Sequence, residues 1–163
     1  MMNTLEENRL GLEEVHTIQD YWDQPREGVA DYNGLPHYYK CIFDEEKDEW
    51  SNTYILKPLD AETLLLLEES QEIFQRWADA YRKGETTLDS HPAHAEDRER
   101  LTELRNILAH RLTTDAAEDI RADGRFEVAE GMSVAPSQAK WRVRWIVRTK
   151  PKNIQPTSKL AYQ

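Results

Sequence analysis

Asn33-Gly34 lies between two runs, GVADY and LPHYYKCIFD, that are rich in β-branched and aromatic residues. Both residues accept the positive φ that a type I′ turn needs at its two central positions, and that turn has the twist of an antiparallel pair. The dipeptide therefore predicts a hairpin and fixes its register: Tyr32 faces Leu35, Asp31 faces Pro36, Ala30 faces His37 and Val29 faces Tyr38. Alternation then assigns the faces. Ala30, Tyr32, Leu35, His37, Tyr39, Cys41 and Phe43 share one side, apolar except for His37, which is the expected core face; Val29, Asp31, Tyr38, Lys40 and Ile42 share the other.

The same rules extend along the chain. VHTIQDYW (Val15 to Trp22) reads as a strand, and DQPREG, with Pro25 and Gly28, reads as the turn after it. WSNTYILK (Trp50 to Lys57) is another strand, stopped by Pro58. Asp60 is placed to cap a helix that runs to Lys83 with Leu66, Leu67, Ser70, Phe74, Trp77 and Tyr81 at helical spacing, and Gly84 ends it. A second helix is expected from SHPAHAED to about Leu112, and DAAEDIRADG suggests a short third one stopped at Gly124. RFEVAE and KWRVRWIVRTK return to strand chemistry. In the latter, Trp141, Val143, Trp145 and Val147 alternate with Lys140, Arg142, Arg144 and Arg148, interrupted by Ile146.

Charge is unevenly divided. Residues 1–135 hold 14 Lys/Arg against 31 Asp/Glu, a net −17, whereas residues 136–163 hold seven Lys/Arg and no acid. An acidic body with a basic last strand suits attraction between the two, within one chain or between copies, and disfavours general nucleic-acid binding. A single cysteine, Cys41, excludes an internal disulfide and Cys-rich zinc modules. The longest apolar run is Leu64 to Leu67, which gives no membrane segment, and the expected location is the cytoplasm. Residues 1–149 are expected to form a single α+β domain with residues 1–14 frayed, and 150–163, with two prolines, a flexible tail.

Several residue sets could carry chemistry. His16 and Asp20 fall on one face of the first strand, and His37 on the core face of the hairpin; if paired strands brought them together, imidazole and carboxylate could do acid–base work. The competing reading is a buried histidine bonded to a carbonyl. HPAH (His91 to His94) has the spacing of a metal pair, but Pro92 places it where a helix only begins. DEEKDE (Asp44 to Glu49) lacks the Gly and ligand order of a calcium loop and reads as a solvated turn. Cys41 lies among apolar strand neighbours, as a buried thiol does. The chain has neither a Gly-rich phosphate loop nor a G-x-S-x-G elbow.

The expected fold is thus α+β: a mostly antiparallel sheet of about five or six strands with two principal helices packed on one face. The leading functional expectation is a non-catalytic protein-interaction or regulatory module. Arg142, Arg144 and Arg148 would bind a protein partner or a second copy through the basic strand, with Tyr32 and Tyr39 as further binding residues. No metal or cofactor is expected. The alternative is a small enzyme or small-molecule binder with a His16/His37 pocket beneath the aromatic hairpin.

Overall fold

The computed structural model describes residues 11–115, 118–130 and 139–150. Six strands, β1 (Leu12–Trp22), β2 (Gln24–Tyr32), β3 (Leu35–Asp44), β4 (Glu49–Pro58), β5 (Ile120–Glu130) and β6 (Lys140–Thr149), form a closed barrel in the order β1-β2-β3-β4-β5-β6. Every neighbouring pair is antiparallel. Between β4 and β5 the chain makes two helices, α1 (Ala61–Arg82) and α2 (Arg98–Arg111), in a second compact unit that spans Asp60–Thr113.

This corrects the expected open sheet with helices packed on one face: the sheet closes on itself. The closing seam is short, Leu12↔Arg144, Glu13↔Val143 and Glu14↔Arg142, and it uses residues that composition marks as a charged leader. β1 starts at Leu12, inside the segment expected to fray. Curling six strands into a cylinder needs local bends, and β-bulges supply them. Register shifts interrupt β1–β2 between Val15 and Thr17, between Ile18 and Asp20 and between Asp20 and Tyr21; others lie in β3–β4 and β5–β6.

The β2–β3 hairpin has the register read from Asn33-Gly34, with Tyr32↔Leu35, Asp31↔Pro36, Ala30↔His37 and Val29↔Tyr38. Both turn residues have positive φ, 53° and 76°. The Glu13 carboxylate of β1 accepts from both turn amides, Asn33 N and Gly34 N, at 2.7 Å each, so the hairpin tip is tied to β1. The expected DQPREG turn is a strand instead. Only Asp23, at φ 58°, separates β1 from β2, and Gly28 sits mid-strand because Thr17 O lies 2.1 Å from where a Cβ would be. Gly124 is likewise part of β5 and does not end a helix: a Cβ there would lie 2.7 Å from the Trp145 ring.

The barrel interior is filled by side chains. Ala30, Tyr39, Cys41, Tyr54, Leu56, Ala122 and Val143 form its buried cluster, with Val15, Phe126, Trp145 and Val147 packed against it. All six pairs among the Tyr39, Tyr54, Phe126 and Trp145 rings have centroids between 5.4 and 6.0 Å apart, in tilted or edge-on contact. Trp145 also donates through its indole N–H to Asp31 O at 2.9 Å. On the outer side, the opposed residues Val29 and Tyr38 are buried as well, and the Tyr38 hydroxyl donates to Glu27 at 2.5 Å.

In the helical unit, Asp60 caps α1 by accepting from Thr63 N at 2.7 Å, and Gly84, at φ 74°, follows the helix end. α2 starts at Arg98, later than sequence predicts; His91 to Asp97 form turns and a short 3₁₀ segment. Ile73, Ala93, Leu101 and Leu104 make the core of this unit, with Leu66 against it. The turn-rich stretch 131–138, most of the leader and the tail over 151–163 lie outside the described residues.

Candidate functional site

Antiparallel order puts the β1–β2 turn and the β3–β4 turn at one end of the barrel and the Asn33-Gly34 turn at the other. The first end has the most unusual chemistry. Arg26 of β2, only 4% exposed, points inward there. Its Nε donates to Trp22 O at 3.1 Å and its Nη2 to Asp23 Oδ1 at 2.6 Å. Its Nη1 donates to Ser51 O at 2.9 Å and approaches Cys41 Sγ at 3.3 Å, while the guanidinium carbon lies 5.6 Å from the Trp50 ring centroid. One side chain therefore ties the β1–β2 turn to β3 and β4. Charge-assisted bonds to several fixed acceptors hold that turn far better than water-exposed contacts would.

The network extends inward. Tyr54 donates its hydroxyl to Pro25 O at 2.6 Å and accepts from Gln24 Nε2 at 2.9 Å. Burial pushes the Tyr54 phenol above its ordinary range. Burial also raises the Cys41 thiol, with the neighbouring Arg26 pulling the other way, and its Sγ donates to Ser51 O at 3.2 Å. A buried, protonated thiol that already donates is part of the packing and a poor nucleophile.

Outside this network the same end presents aromatic and acidic groups to solvent. Trp22 is 66% exposed and Phe43 is 39% exposed; Phe43 stands edge-on to Trp50 with centroids 5.1 Å apart. Between β3 and β4, Asp44 to Glu49 contain five acids and one Lys, a net −4. Asp44 Oδ1 accepts from Glu46 N and Lys47 N at 3.1 and 3.2 Å and shapes the turn, and Asp48 takes a positive φ of 53°. Beside the turn runs an open groove bordered by Phe43, Asp44, Glu46, Ser51, Thr53 and Arg121. Arg121 Nε in that groove is buried without a hydrogen-bond partner among the described residues.

The residues singled out in the sequence are dispersed. His16 is on the outer face of β1 and bonds through Nε2 to Asp31 Oδ1 at 2.8 Å. Asp20 is exposed, paired in register with Glu27. His37 is 3% exposed and lies on the inner side of the sheet, opposite Ala30, edge-on to Tyr32 with centroids 5.3 Å apart. Its Nδ1 bonds Leu35 O at 2.8 Å, and burial holds its pKa below the ordinary value. Because Val15 and Ala30 pair on the inner side, His16 and His37 belong to opposite faces of the sheet. Tyr39 is fully buried among the interior rings, its hydroxyl donating to Thr17 O at 3.0 Å.

The basic strand meets acids of its own sheet. Arg148 makes two bonds to Asp123, at 2.8 and 2.6 Å, and Asp123 also accepts from Thr53 Oγ1. Arg142 lies between Glu14 and Glu127 in register, and Arg144 between Leu12 and Arg125. His91 packs on Trp77, 4.7 Å between centroids, and precedes α2 rather than riding on it.

Arg26 and Trp22 are what the sequence reading missed. The signal was present: counting back by twos from the hairpin, Tyr32, Ala30, Gly28 and Arg26 share a parity, so a strand continued past Gly28 aims Arg26 inward. No protein-family model matches the sequence, and neither a curated protein nor a solved structure matches the chain. Among the described residues, no helix is long and apolar enough to cross a membrane.

Proposed function

We propose that the protein is a non-catalytic protein-binding module that takes a basic, extended segment of a partner at the acidic, aromatic end of its barrel. One observation carries this reading: exposed Phe43 borders a turn of net charge −4 at the barrel end that also carries exposed Trp22, on a platform pinned from within by Arg26. Exposed aromatic rings supply contact area at low entropic cost, and carboxylates beside them steer and select cations. Lys or Arg side chains laid across Trp22 or Phe43 would add cation–π attraction. A barrel interior packed with rings, histidines on opposite faces and a protonated buried Cys41 support a binding role over a catalytic one.

The partner contact is assigned to this end rather than to β6. The Arg148 charge is answered by Asp123, and Arg142 sits between two glutamates. The test is fluorescence anisotropy of a labelled Lys/Arg-rich peptide and of a Glu-rich peptide of equal length, at low and high salt. The basic peptide binds and weakens with salt, and the acidic one does not bind. Trp22→Ala loosens binding by about 2 kcal/mol, roughly thirtyfold, and Glu45→Lys with Glu46→Lys slows association. Equal binding of both peptides, or unchanged binding by these variants, refutes the proposal. Loss confined to the triple change of Arg142, Arg144 and Arg148 to Glu would return the contact to the basic strand.

A further inference from the structure

On the flank of the barrel, near the Asn33-Gly34 turn, we propose that Glu14, His16 and Asp31 form a binding site for one divalent transition-metal ion, with Zn²⁺ as the best fit. One ligand atom from each lies within 4.8 Å of the others. The closest pair, His16 Nε2 and Asp31 Oδ1, is 2.8 Å apart. Ligand bonds of about 2.0–2.2 Å place neighbouring donors about 3.4 Å apart around a tetrahedral ion, so the hydrogen-bonded His16–Asp31 pair accepts one by opening about half an ångström. Exposed Glu14 closes the set by a side-chain swing of about 1–2 Å, well within the reach of a long exposed carboxylate.

Two features of the backbone put these residues together. Val15 pairs with Ala30 and Thr17 with Val29, so His16 is the extra residue of a bulge. A bulge re-aims a side chain that ordinary alternation would point straight out; here the imidazole reaches across to β2. The second feature is Glu13, whose carboxylate takes both turn amides of the neighbouring hairpin and fixes β1 against β2 one residue before Glu14. The site is thus built on strands held from two sides, the condition for a preorganised ligand set.

The donor chemistry narrows the ion. One imidazole nitrogen with two carboxylates is too nitrogen-rich for a calcium or magnesium cage and too hard for Cu(I). Two carboxylates balance the ion's charge, and the solvent side leaves positions for water or a partner's ligand. Arg142, in register with Glu14 across the seam, opposes the ion through like charge.

The test is calorimetric titration of the tag-free full chain with Zn²⁺, with Co²⁺ as an optical probe of ligand field. One ion binds per chain, and Co²⁺ gives visible d–d bands. His16→Ala and Asp31→Asn each abolish both signals, and Arg142→Gln tightens binding, a change that adventitious surface binding would not follow. All these side chains are on the outer face, and circular dichroism checks that each variant is folded. If one is not, the ring proton shifts of His16 in the wild type on adding Zn²⁺ report the same contact. An absence of heat and bands in the wild type overturns the proposal. So does wild-type binding by folded His16→Ala, which would move the ion elsewhere.

Discussion

Replacing Gly28 with Ala inserts one methyl group at a point where the structure has no space for it. The added Cβ would sit 2.1 Å from Thr17 O and 2.7 Å from the Tyr39 hydroxyl. The first neighbour is backbone in the partner strand, so relief requires β1 and β2 to separate locally. The second is the hydroxyl that donates to the same Thr17 carbonyl at 3.0 Å, on a side chain that is fully buried. Overpacking of this kind costs about 1–3 kcal/mol, and leaving the buried hydroxyl unsatisfied about 1–3 kcal/mol more. The loss of backbone freedom in the unfolded chain returns only about 0.4–1 kcal/mol. The expected net loss is about 1–5 kcal/mol, a fall in Tm of about 2–20 °C for a chain of this size. Urea denaturation followed by tryptophan fluorescence and by circular dichroism measures it. A double-mutant cycle with Tyr39→Phe localises the effect: without the hydroxyl, Gly28→Ala costs less. An unchanged or raised midpoint for Gly28→Ala would refute the close approach of β1 and β2, and a cycle with no coupling would remove Tyr39 from the account.

Gly34→Val tests the opposite situation, because a Cβ there meets nothing within 4 Å and only the positive φ of 76° is strained; it should lower stability by about 1–2 kcal/mol in the same assay, with no loss showing that the turn is not type I′. His37 gives a pH dependence: burial lowers its folded pKa, so the unfolded state binds the proton more readily, and stability is full above the ordinary imidazole range and falls as pH drops through about 6.5 towards the folded value. Urea midpoints at several pH values for the wild type and His37→Asn check this, and identical pH slopes would mean that His37 is not the group responsible.

The parts of the fold that follow local rules were legible. Asn33-Gly34 gave the hairpin with its register, and Asp60 and Gly84 gave the bounds of α1 nearly to the residue, because caps and tight turns are decided within a few residues. Closure was not legible. The seam strand begins with Leu12, Glu13 and Glu14, which have no apolar alternation; their pairing with β6 is rewarded by backbone bonds and by contacts from residues far along the chain. Gly28 and Gly124 misled for a related reason. Glycine is a turn signal when only its backbone freedom is considered, but here its missing side chain makes room for Thr17 O and for the Trp145 ring. For the site, the exposed acids of Asp44 to Glu49 were readable as a solvated turn, while Arg26 was hidden inside an expected turn and acquired its meaning only when β2 ran through it. Residue type and strand order join His16 and His37, but a bulge and the inner-outer alternation put them on different sides.

The short seam also orders events in time. β1–β2, β2–β3 and β3–β4 each join strands separated by a few residues, so each pair can zip at the cost of closing a short loop, and β5 and β6 also follow one another in the chain. β4–β5 must wait for the helical segment between them, and the contacts of Leu12, Glu13 and Glu14 with β6 join opposite ends of the barrel sequence. Loop-closure cost makes those three pairs the ones expected to form last, once the other strands have brought β1 and β6 side by side. Before they form, the sheet has two unpaired edges, and on β6 the exposed Arg142 is the kind of charged edge residue that disfavours edge-to-edge pairing of copies.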